Sequence, residues 1–166
     1  MRGTLVLFLT LFLLHALVDQ ANSALAGAHV HLFAAGLFVT YAALMLPFAS
    51  GLAASLLAGL ICDASAPVAF GTEALLFAAA QVIVFNLRSR LPREDPAARR
   101  LVALLVNAAV FVALSFLLVR RGAGRPAVWP RLGADLLASE AVVALVAPWF
   151  FALQAQSLRL ARVDAA

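Results

Sequence analysis

Between His31 and Asp63 the chain runs for 31 residues without a charged or histidine side chain. As one helix, at about 1.5 Å per residue, such a run would reach about 46 Å, against about 30 Å of hydrocarbon in a bilayer. It is too long for one span and slightly short for two. Pro47, followed by "FASG", is the natural break. Proline disfavours helix continuation and restricts the residue before it. The expectation is a tight helical hairpin, with spans Val30–Phe48 and Ala49–Cys62 and a turn near Pro47–Gly51.

The rest of the chain repeats the pattern. Further apolar runs are Gly3–Val18, Phe70–Leu87, Leu101–Val119 and Leu132–Leu153. Of the 166 residues, 65% are hydrophobic and 12% charged. A soluble domain has about 45–50% apolar residues, so lipid must solvate most of this chain. The expected fold class is all-α: a single integral-membrane domain over residues 1–166, a six-helix transmembrane bundle. Five spans with a re-entrant segment is the alternative. The first run, with Arg2 before it and small residues after it, also fits a cleaved signal peptide. Its length and the spans that follow favour retention as a first span.

The net charge of +4 comes from twelve arginines and no lysine against eight acids. The arginines lie at the ends of apolar runs, which reads as membrane orientation rather than nucleic-acid binding. Arg2, Arg88, Arg90, Arg93, Arg99, Arg100, Arg159 and Arg162 fall on one side of a six-span chain. Arg120, Arg121, Arg125 and Arg131 fall on the other. Eight against four favours both termini and the 88–100 linker in the cytoplasm.

That orientation puts "GLICDASAPVAFGTEALLF" (Gly59–Phe77) at the outer face. Asp63 ends one span and Glu73 begins the next, around a turn that carries Pro67 and Gly71. Glu73 meets the positive end of its helix dipole. Thr72 or Ser65 is placed to cap that helix. Asp63 opposes the dipole at its own helix end and needs another partner: its turn backbone, Arg120 or Arg121, or a different protein.

Gly51, Ser55 and Gly59 fall four apart on one helical face. In lipid, small residues let backbones approach closely, so this face is expected to pack on another helix of the chain. His15 and Asp19 are four apart and able to pair. Gln81 and Asn107 read as interhelical hydrogen-bond donors, and Glu140 as an intramembrane acid that pairs or lines a cavity. Cys62 reads as a small packing residue. His29 and His31 do not share a helical face and have no carboxylate or cysteine close in sequence, so no metal site is expected. The chain has no G-x-S-x-G, no H-E-x-x-H and no Walker-type loop, so no catalytic residue or cofactor is expected.

The segment "GLICD", a small-residue turn with Pro67, "FGTEALLF" and a helix ending in "LRSRL" together resemble the rod shape-determining protein MreD family. Gly59, Leu60 and Asp63 match its Gly-Leu-x-x-Asp element, and Pro67 and Gly71 its Pro-x-x-Gly-type turn with one extra residue. The resemblance implies a non-catalytic scaffold of the bacterial inner membrane, in the cell-elongation machinery that builds peptidoglycan and sets cell shape. The implied partner is MreC, and through it MreB, RodA and a class B penicillin-binding protein. The alternative is the substrate-binding component of an energy-coupling-factor vitamin transporter. Its ligand would have to meet Gln81, Asn107 and Glu140, and the bulky "TLVLFLTLFLLHALV" of the first run counts against it.

Overall fold

In lipid a backbone has no water to bond, so it must satisfy its own polar groups, and helices do so within one segment. A computed structural model describes residues 2–65, 69–92, 95–121 and 128–160. Among them there are six α-helices and no strand: α1 (Arg2–Leu25), α2 (Ala35–Met45), α3 (Phe48–Ser65), α4 (Thr72–Leu87), α5 (Pro96–Arg121) and α6 (Val128–Leu160). Short 3-10 turns follow α1 at Ala26–Ala28 and α4 at Arg88–Arg90. Three helices are long and apolar enough to cross a membrane, over Phe8–Leu25, Pro96–Arg120 and Val128–Leu160.

The break at Pro47 is sharper than a turn reaching Gly51. Leu46, pushed out of the helical region by the proline after it, is extended at φ −106°, ψ 158°. Phe48 already begins α3, and the Gly51 N–H bonds the Pro47 carbonyl at 2.9 Å, so Gly51 lies inside the helix. Arg88 closes the turn from α4's end by donating to the Leu46 carbonyl at 3.0 Å.

The second run departs further from expectation. Helix α2 starts at Ala35, not Val30, and residues 30–34 are non-helical, with Ala34 at φ −134°, ψ 16°. The eleven helical residues rise about 16 Å, short of a bilayer core on their own.

Helix α2 is the centre of the bundle. Gly36 through Leu44 are all buried, so it is apolar on every side because every side is covered by protein. Tyr41 is held between Phe150 and Phe151 of α6, stacked on Phe151 at 5.8 Å. Successive helices run antiparallel. The His31 segment, Asp63 and Asp135 therefore lie at one end, and Leu46, Arg88 and Arg99 at the other. At that second end Asp95 caps α5 by accepting the Ala97 N–H at 2.9 Å, with Pro96 at the first helical position.

Candidate functional site

Asp63 answers the question its position raises. It sits inside α3, only 4% exposed, and its carboxylate takes three backbone N–H groups of the next helix. Gly71 and Ala74 donate to Oδ2 at 2.9 and 3.2 Å, and Glu73 donates to Oδ1 at 2.8 Å. The first N–H groups of a helix have no partner within it. Here the previous helix supplies one, and its negative charge meets the positive end of the α4 dipole. Thr72 turns its hydroxyl to the Ala69 carbonyl rather than to its own helix end, and the Ser65 side chain lies outside what the structure describes. Gly71 occupies the cap position at φ +92°, a conformation that glycine takes without steric cost. Pro67 lies outside the described residues. Arg120 is elsewhere, its guanidinium 5.0 Å from the centre of the Phe116 ring.

The cap is possible because α3 and α4 nearly touch. A β-carbon on Gly59 would come within 2.3 Å of the Ala74 α-carbon, and one on Gly51 within 2.3 Å of Gln81 Nε2. Between them Ser55 donates to Gln81 Oε1 at 3.2 Å. Gln81 is thus an acceptor in this pair rather than a donor, and its buried Nε2 has no hydrogen-bond partner among the described residues. Glu73, in the first turn of α4, is buried and within hydrogen-bonding reach of the Cys62 thiol.

A second polar assembly holds the non-helical segment before α2. Asp135 accepts the His31 N–H at 2.9 Å, and Ser139 accepts the Phe33 N–H at 2.9 Å. Asn22 brackets Leu32, accepting its N–H at 2.6 Å and donating to its carbonyl at 3.1 Å. Asn107 donates to the Phe33 carbonyl at 3.1 Å and accepts the Gly36 N–H at 3.1 Å. Its other amide proton goes to Glu140 Oε1 at 3.0 Å. Three helices therefore supply the partners that a helical ladder would have given this stretch. Non-helical backbone at membrane depth is tolerated only where protein or water covers it. Along α5, Asn107 stands seven residues in from Arg100, about 10 Å into the apolar interval.

A cavity of about 320 Å³ opens between these two assemblies. His15, Asp19, Asn22, His31, Glu73 and Asp135 give it polar walls, and α5 lines it with Phe111, Leu114 and Leu118. His15 pairs with Asp19 at 3.4 Å. Among the described residues no three His, Cys, Asp or Glu side chains are grouped to hold a metal ion. Gln81, Asn107 and Glu140 do not line the cavity: Asn107 and Glu140 bond each other, and Gln81 bonds α3.

Asn22, Asp135 and Ser139 were absent from the candidates drawn from sequence. A weak signal exists for two of them, since Asp135 and Ser139 are four apart and share a helical face. The Ser139 hydroxyl donates to the Asp135 carbonyl at 2.6 Å, which orients it to accept from Phe33.

Compared with protein families, residues 1–121 match a model described as rod shape-determining protein MreD. Comparison with curated proteins and with solved structures gives no match.

Proposed function

This chain belongs to the rod shape-determining protein MreD family, a family of membrane proteins in cell-shape determination, and on that premise we propose that it is a non-catalytic scaffold of the cell-elongation complex. In this reading it sits in the bacterial inner membrane with six spans and cytoplasmic termini. Its direct partner is MreC, and peptidoglycan synthesis by RodA and a class B penicillin-binding protein is reached through that partner, as is MreB.

Three observations support the reading. The short α2 and its non-helical lead-in run together through the middle of the bundle, held by α1, α5 and α6. The antiparallel order puts Arg88, Arg90, Arg99, Arg100 and Arg159 at one end and Arg120 and Arg131 at the other, which favours the first end as cytoplasmic. The observation that carries the scaffold role is the Asp63 corner. It spends its carboxylate on rigidity, and it holds Phe70 and Leu75 outward at 73% and 71% exposure. A rigid corner with two large exposed apolar side chains suits the membrane-proximal segment of a single-span partner.

Co-purification of tagged MreC with this chain tests it. Phe70→Ala with Leu75→Ala, and separately Asp63→Asn, should each lower recovery of MreC at unchanged membrane insertion. Leu145→Ala, an equally exposed position on α6, should leave recovery intact. Undiminished MreC recovery with the Phe70/Leu75 pair would remove the corner from the interface.

A further inference from the structure

The arginine-bearing end of the bundle is rich in cations. Among the described residues it carries six arginines, Arg2, Arg88, Arg90, Arg99, Arg100 and Arg159, and its acid, Asp95, is committed to the α5 cap. Arg88 is occupied, bonding the Leu46 carbonyl and covering the Phe85 ring at 3.8 Å. Arg99 is in a different position. It lies in the first turn of α5 with its guanidinium 5.8 Å from the centre of the Phe151 ring, and its buried Nε has no hydrogen-bond partner among the described residues. Phe151 stacks on Tyr41, and Arg159 follows Phe151 by eight residues in the last turn of α6. Helices α2, α5 and α6 thus bring the Arg99 guanidinium to an aromatic pair, Phe151 and Tyr41, with a second arginine at the same end of α6. No carboxylate among the described residues pairs with either arginine.

A buried N–H left unmade is costly, and a guanidinium fork matches the oxygens of a phosphate. Arg99 stands two residues before the apolar interval that begins at Leu101, which is the depth of lipid headgroups. We propose that Arg99, Arg159 and Tyr41 form a binding site for the phosphate of an anionic phospholipid, in the leaflet at the arginine-bearing end. Arg99 is the principal ligand, held in place by Phe151. Arg159 supplies the second charge, and the aromatic faces of Tyr41 and Phe151 form the apolar floor beneath the headgroup. The site stands independently of the partner proposed above, because it lies at the opposite end from the Asp63 corner.

Native mass spectrometry of the full chain in detergent, titrated with phosphatidylglycerol or phosphatidylcholine, tests it. Wild type should retain phosphatidylglycerol in preference. One arginine near an anionic surface contributes about 1 kcal/mol, so Arg99→Gln should weaken that retention about fivefold. Arg99→Lys keeps the charge and removes the fork, and should weaken it by less. Arg90→Gln removes the same charge from an exposed position at the same end and should weaken retention by less than Arg99→Gln. A parallel titration with inorganic phosphate separates the sources. Arg99-dependent binding of the free ion, with no lipid preference, would overturn the lipid assignment. Equal retention of the two lipids, or equal losses in Arg90→Gln and Arg99→Gln, would overturn the site.

Discussion

Replacing Asp63 should release the start of α4 in two graded steps. Alanine removes the acceptor of three N–H groups, two of them on the buried residues Glu73 and Ala74. A buried donor left unmade costs about 1–3 kcal/mol, so Asp63→Ala should cost about 4 kcal/mol. Asparagine keeps one oxygen. Placed where Oδ2 lies, it still accepts from Gly71 and Ala74, but its amide then faces the Glu73 N–H, donor against donor. One lost bond, with the lost attraction of charge to dipole, makes Asp63→Asn cost about 2 kcal/mol. Hydrogen exchange read by mass spectrometry on the peptide covering Glu73–Leu75 measures this locally. At about 1.4 kcal/mol per factor of ten, exchange should quicken about 30-fold in Asp63→Asn and several hundredfold in Asp63→Ala. The α5 amides should keep wild-type rates in Asp63→Asn. Wild-type exchange at Glu73–Leu75 in both variants would refute the cap, and an even rise across all helices would refute its locality.

Other outcomes follow from the same geometry. Gly59→Ala should destabilise the fold by about 3 kcal/mol, because its β-carbon meets α4 backbone that cannot rotate away. Gly133→Ala, in α6 with nothing within 4 Å of the new carbon, should stabilise by about 0.4–1 kcal/mol. Unfolding in mixed detergent followed by circular dichroism compares the two, and equal effects would contradict the close α3–α4 approach. Asn107→Leu strands the Phe33 carbonyl and the Gly36 N–H together and should cost about 2–5 kcal/mol in the same assay. Glu140→Gln keeps an oxygen for Asn107 and should cost under about 1.5 kcal/mol.

Sequence exposes what is local and periodic. The break at Pro47 shows because proline acts on its immediate neighbour, and the stripe Gly51–Ser55–Gly59 shows because four residues make about one helical turn. The role of Asp63 is hidden for the opposite reason: its partners lie eight to eleven residues ahead, across a turn whose shape is itself set by the bonds. The non-helical segment is hidden more deeply. "VHLFA" has the composition of any buried helix, and nothing within it marks residues 30–34 as non-helical. What holds it out of a helix is the supply of acceptors and donors from Asn22, Asn107, Asp135 and Ser139, on three other helices. The direction of the Gln81 bond was also unreadable, since an amide offers both a donor and an acceptor and only the neighbour decides.

The pinned lead-in to α2 also imposes an order on biosynthesis. Asp135 and Ser139 are translated 104 and 106 residues after the His31 and Phe33 amides they receive. Until α6 leaves the ribosome, the His31 and Phe33 amides lack these acceptors, and that stretch must stay at the water edge or borrow a transient helical form. The central helix of the bundle is therefore among the last pieces to settle. A nascent chain halted before Asp135 should leave residues 30–34 open to proteases that the finished protein resists.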